Sequence, residues 1–134
     1  MNNKKKILLI VCAIAICIIG YGWYMYNKPV ASIEHKSSDF TLTASQIIQE
    51  YEKDEAVANT KFLDKIIEVE GTVGKIQNNN IYLITDNPLS SIICEMSEEQ
   101  LLSGIKEGDN IHLKGVCTGY LLDVVLVRCT LINK

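Results

Sequence analysis

No acidic side chain occurs before Glu34, and no charge of either sign occurs from Ile7 to Tyr26. The uncharged stretch, ILLIVCAIAICIIGYGWYMY, is 20 residues long. As a helix it reaches about 30 Å, the thickness of a bilayer hydrocarbon core. A small-residue cleavage site of the A-x-A kind is also missing, because the run ends in Tyr21, Trp23, Tyr24 and Tyr26. That absence argues against a cleaved signal peptide, and the aromatic cluster has the composition of a membrane–water interface. Small residues are absent just before Cys12 and Cys17, where Val11 and Ile16 stand instead. This argues against lipoprotein processing and leaves both thiols as small apolar groups facing lipid. Lys4, Lys5 and Lys6 flank the near end, and positive flanks stay on the cytoplasmic side. The expectation is a cytoplasmic basic N-terminus over 1–6 and one transmembrane helix over 7–26. The inner (cytoplasmic) membrane would then hold a periplasmic or extracellular C-terminal domain.

A basic surplus is missing from the rest of the chain. The whole sequence has 13 Lys+Arg and 16 Asp+Glu. Setting aside the three N-terminal lysines leaves 10 basic side chains and a net charge of −6 beyond the apolar run. Such a region repels phosphate backbones, whereas nucleic-acid binders normally carry a basic footprint. Closely spaced Cys or His pairs are missing too. Cys94, Cys117 and Cys129 lie 23 and 12 residues apart, which fits no zinc pattern. His35 stands alone in a polar stretch. No metal, no cofactor and no catalytic residue is expected, and the chain does not read as an enzyme.

What is present reads as one small domain. Asn27 to Phe40 mixes Pro, Ser and charges without periodicity, and 27–42 is expected to be a linker. The domain is expected over 43–134. Thr43 and Gln46 form a capping-box pattern. Behind them Ala44, Ile47, Ile48, Tyr51 and Ala58 share a helical face, which predicts a helix from about Ala44 to Ala58. Glu50, Glu52, Lys53 and Glu55 occupy its other, solvated side. From Lys65 the period becomes two, with Ile67, Val69, Gly71 and Val73 on one face. Asn78, Asn79 and Asn80 make a turn. Further strands are expected at Ile81–Thr85, Ser90–Met96, Asn110–Cys117 and Val124–Ile132. A short helix begins at the Ser97/Gln100 capping box and ends near Gly104, and Thr118–Asp123 connects the last two strands. The fold class is mainly β: a five-stranded OB-fold barrel with an introductory amphipathic helix and a short helix between strands three and four. Gly71 and Gly115 would mark close approach or tight bending.

Several phrases carry a family resemblance. These are Thr43-Ala-Ser-Gln-Ile-Ile-Gln-Glu-Tyr-Glu, Asp54-Glu55-Ala56, KFLDKIIEVEGTV and LKGVCTGYLLDVVLVRC. In this order they resemble the tRNA_anti-like OB-fold family of bacterial envelope proteins, in its Bacteroidetes-type, membrane-anchored versions. The match covers about Thr43 to Ile132. The resemblance implies an OB fold, often an N-terminal anchor or signal, and a periplasmic domain. It supplies no catalytic residues.

Candidate sites follow from the fold. OB domains commonly bind through strands two and three and the loops joining strands one to two and four to five. Those places hold Asn78, Asn79, Asn80, Tyr82, Tyr120 and Leu121 as candidate ligand-binding residues. The three domain cysteines fall on inward faces, as buried apolar thiols or a disulfide. Strands three and five are neighbours in this arrangement, which favours Cys94–Cys129 for such a bond. Glu68 and Glu70 on the first strand would pair with His112 and Lys114 on the fourth. The expected function is a non-catalytic binding or interaction module that meets an envelope protein, a peptide or a glycan. The alternatives are a single-stranded nucleic-acid binder and a thiol-redox or other enzyme.

Overall fold

The computed structural model describes residues 2–28, 32–98 and 102–132. The chain divides into two compact units, 1–31 and 32–134. In the first, α1 (Asn3–Asn27) buries no side chain, and it is long and apolar enough to cross a membrane.

The second unit begins earlier than the linker expectation allows. Ile33 is only 2% exposed. The Lys114 ammonium donates to the Glu34 and Lys36 carbonyls at 2.9 and 2.7 Å. Asp39 accepts from Ile66 N–H at 2.9 Å through its carboxylate, and its own N–H donates back to Ile66 O at 2.8 Å. Phe40–Thr43 then forms β1, parallel to β2 (Ile66–Gln77), with Phe40 opposite Ile67 and Leu42 opposite Val69. The alternation Phe-Thr-Leu-Thr was the strand signal, and the charges and serines before it masked it. Residues 28–31 are all that separate α1 from this unit.

Helix α2 (Ala44–Lys53) starts at the expected capping box. Gln46 N–H donates to Thr43 Oγ1 at 3.2 Å, and Thr43 N–H donates to Gln46 Oε1 at 2.9 Å. It buries Ala44, Ile47, Ile48 and Tyr51. The single helix expected through Ala58 is in fact two. Asp54 adopts an extended conformation (φ −162°) and its carboxylate accepts from Val57 N–H, capping α3 (Glu55–Phe62). An Asp at such a position competes with the helix and starts a new one. The break turns Ala58 and Phe62 into the core, where Phe62 meets Phe40 edge-on at 5.2 Å.

The barrel proper has five strands: β2, β3 (Asn80–Leu83), β4 (Ile92–Met96), β5 (Asn110–Leu121) and β6 (Asp123–Leu131). The order is β1-β2-β3-β4-β6-β5, and β5 closes back on β2. β4 and β6 run parallel while the other barrel neighbours are antiparallel. Closure leaves few free edges, so strands this short can persist. Inward residues at period two, among them Ile67, Val69, Ile81, Leu83, Ile92, Leu113 and Leu126, are fully buried. Gly71 is needed because a Cβ there would lie 3.1 Å from Ala44 Cβ, where α2 crosses β2. At Gly115 it would lie 2.5 Å from Cys129 Sγ.

One connection differs from expectation. Thr118–Asp123 is not a loop: β5 runs on to Leu121 through a bulge at Thr118, and Leu121 faces Asp123 directly. Only Leu122 turns, in the left-handed region (φ 70°). Leucine is a rare residue for that conformation, so no turn signal marked it. The expected helix over Ser97–Gly104 falls partly on residues 99–101, outside the described residues.

Candidate ligand-binding face

Period-two alternation that buries one set of side chains presents the other as a sheet surface. Strand register carries one row across it: Lys75 opposite Tyr82, Tyr82 opposite Ile93, Ile93 opposite Val125, and Val125 opposite Gly119. The Lys75 ammonium lies 5.6 Å from the Tyr82 ring centre, a cation–π distance. Next to Tyr82 a groove of about 210 Å³ is lined by Gly74, Ile84, Asn87 and Ser91. Its loop is pinned at several points. Asp86 N–H donates to Ser45 Oγ at 3.0 Å, Asn87 reaches Glu52, and Ser91 N–H donates to the Asp123 carboxylate at 2.7 Å. At the far end a second groove, about 370 Å³, is lined by Asn59, Leu63, Gly119, Leu121 and Val125.

The sequence candidates separate on this surface. Asn80 and Tyr82 lie on the row's side of β3, both half-buried. Asn78 makes the turn with φ 55°. Asn79 is a brace, since its side-chain amide donates to Met96 O at 2.5 Å and its main-chain carbonyl accepts from Met96 N–H at 3.0 Å. Tyr120 points the other way and stacks on Tyr51, centres 4.9 Å apart. Leu121 is 91% exposed. Lys75, Ile84, Ile93 and Val125 were missed. The available signal was apolar residues at outward strand positions, where polar ones are usual.

The charged candidates form a different surface. Glu68 stands opposite Lys114 and Glu70 opposite His112. The ion pair runs diagonally, His112 Nε2 to Glu68 at 2.8 Å, while Ser38 donates to the other Glu68 oxygen at 3.1 Å. Asn110 donates to Glu70 at 3.1 Å. The carboxylate lies between the hydroxyl and the imidazole, so Ser38 has no adjacent histidine base to activate it. On the helices, Glu50 pairs with Lys61 at 3.1 Å on the exposed side.

All three domain cysteines are fully buried free thiols. The neighbouring Cys129 thiol, which donates to Leu126 O at 3.4 Å, together with burial holds the Cys94 thiol well above its ordinary range. A thiol kept protonated is a poor nucleophile. Cys117 lies 3.5 Å from the Tyr51 hydroxyl, whose ionisation burial and this contact push far up. Among the described residues no cluster of three His, Cys, Asp or Glu could hold a metal.

A closed five-stranded barrel with this strand order, a parallel third and fifth strand and an open outer sheet is an OB fold. Within that class the chain belongs to the tRNA_anti-like family, whose profile matches residues 1–131. A solved structure from Klebsiella pneumoniae subsp. pneumoniae MGH 78578, described as a candidate nucleic acid-binding lipoprotein, is similar in fold. It has a TM-score of 0.59 and 13% identity over 68% of this chain and 91% of that one. No curated protein matches the sequence.

Proposed function

We propose that this protein is a membrane-anchored, extracytoplasmic OB-fold module that binds without catalysis. Its outer row meets another envelope protein, a peptide or a glycan. The observation that carries the reading is the row Tyr82–Ile93–Val125, an aromatic and aliphatic strip running across three neighbouring strands. Its one cation, Lys75, already lies over Tyr82. The length and apolarity of α1 support the anchor, and Lys4–Lys6 support an inside N-terminus. Co-purification from gently solubilised membranes tests it, comparing wild type with Tyr82→Ala. A partner or glycan retained by wild type and lost by the variant is the expected result, and identical eluates would sink the reading. Protease access in spheroplasts tests the orientation.

A second reading, single-stranded nucleic acid, is favoured by the description of the Klebsiella structure. Stacking on aromatics beside a basic groove is the usual mode. Tyr82 offers one stacking ring, but the region beyond the anchor carries −6. A salt-titrated oligonucleotide assay decides between them: tight, salt-steep binding would replace the first reading.

A further inference from the structure

We infer that the projecting end of β5 receives an extended polypeptide as an added strand, a conclusion that rests on the binding-module reading above. β5 is longer than its partner on one side. β2 pairs with it only as far as Ile66 opposite Val116. Asp64 and Lys65 add the last bonds, to Cys117 O at 2.9 Å and from Cys117 N–H at 3.0 Å. Leu63 is the C-cap of α3, so the chain leaves the sheet there, and among the described residues 118–121 keep only β6 as strand neighbour. Val124 faces Tyr120, yet its N–H donates to Ser91 O on the β4 side at 3.1 Å. Tyr120 and Val124 are therefore a non-hydrogen-bonded antiparallel pair, and the Tyr120 N–H and C=O point away from β6 to the open edge.

The surroundings of this edge select its occupant. The adjoining groove of about 370 Å³ has no charged lining residue, which disfavours phosphate. Leu63, Leu121 and Val125 form aliphatic walls. Asn59 Oδ1 is shielded from solvent and has no hydrogen-bond donor among the described residues. At Gly119 a Cβ would meet only Leu63 Cδ1, at 4.0 Å, so the backbone is approachable. Leu122 holds the left-handed conformation at the tip and is 70% exposed, where such strain is typical of functional segments. Unpaired main-chain groups beside an apolar groove suit an extended peptide that sets an aliphatic side chain into the groove. The net charge of −6 beyond the anchor favours basic flanks on that peptide.

The test uses the full-length, isotope-labelled protein in micelles. The probe is a capped hexapeptide of alternating valine and threonine with a lysine at each end. Two analogues are N-methylated at one or the other alternate set of amides. Saturable binding of the parent should slow Tyr120 amide exchange by about tenfold or more. One analogue should bind about tenfold more weakly, because only one set of amides can face β5. L63K should weaken the parent similarly without changing the melting temperature. Absence of saturation at millimolar peptide, equal binding of all three peptides, or an unaltered Tyr120 amide would each overturn the inference. If the peptide fails while wild type still retains a partner that Tyr82→Ala loses, the binding-module reading stands without this strand site.

Discussion

Two surfaces of one barrel differ in what covers them. On the outside of β2 and β5 the polar groups are matched: Glu68 by His112 and Ser38, Glu70 by Asn110, Lys114 by two carbonyls of the segment before β1. That segment lies across the strands and completes the surface. On the outside of β3, β4 and β6 the same alternation presents Tyr82, Ile93 and Val125, with no strand paired across them among the described residues. The difference separates a surface whose polar groups are already engaged from one that presents aromatic and aliphatic side chains. A carboxylate, an imidazole and a hydroxyl on one patch look catalytic by composition, but their contacts are used up in holding a strap. The row Tyr82–Ile93–Val125, flanked by Lys75, is the patch that presents aromatic and aliphatic side chains instead.

The comparison breaks most severely through the core beneath the matched surface. Gly115→Val puts methyl groups where a single Cβ already falls 2.5 Å from Cys129 Sγ. A loss of about 3 kcal/mol is expected from overpacking, read as a lower urea midpoint. A midpoint unchanged from wild type would mean that β5 can shift away from β6. Next in size is Lys114→Ala, which removes a charged donor from Glu34 O and Lys36 O. A cost of about 1–2 kcal/mol is expected. Amide exchange should rise selectively over 32–39, where the Ser38–Glu68 and Asp39–Ile66 hydrogen bonds then remain as the ties. Uniform exchange along the chain would show that the strap is not a separate unit.

Much of this was legible in the residues. The capping box, the period-two strands, the inward cysteines and the close-approach glycines follow from local rules that the fold did not override. The losses have physical causes. Asp54 was hidden because a continuous apolar face runs past it, and a side-chain cap inside such a face leaves no gap in the pattern. β1 was hidden because four residues of alternation sit beside Ser, His and Lys. The turn at Leu122 was hidden because it uses a residue that avoids the left-handed region. Of the candidates, Tyr82, expected from its strand, and Asn80, expected in the turn, lie on the row's side of β3, whereas the bulge at Thr118 turns the Tyr120 ring onto Tyr51. Lys75, Ile93 and Val125 become a row only through cross-strand register, which one strand alone does not reveal.

A smaller effect concerns pH. The Cys94 thiol is held above its ordinary value of 9.0, by Cys129 and by burial, in the folded chain only. Its stabilisation is fully present below about pH 9. Above that the unfolded chain releases the proton while the folded chain keeps it, so stability falls as pH rises toward the folded value. The slope should be about 1 kcal/mol per pH unit for this group. Tyr51 adds a similar slope above its ordinary value of 10.0. Cys94→Ala should flatten the part between about pH 9 and 10. An equal slope in that variant would assign the effect elsewhere.

The smallest change in stability is the most telling for the comparison. Tyr82→Ala removes a ring that faces outward and touches Lys75, so it should shift the unfolding free energy by less than about 1 kcal/mol. An exposed cation–π contact contributes about 0.5–1 kcal/mol, and the inward neighbours Ile81 and Leu83 keep the strand in register. Binding should respond quite differently, because an aromatic at the centre of a contact patch often carries about 2 kcal/mol or more of the interaction. A variant that melts like wild type but no longer retains the partner separates the open surface from the matched one. One that loses several kcal/mol of stability would instead make Tyr82 part of the barrel's own packing, and the two surfaces would then differ in composition but not in role.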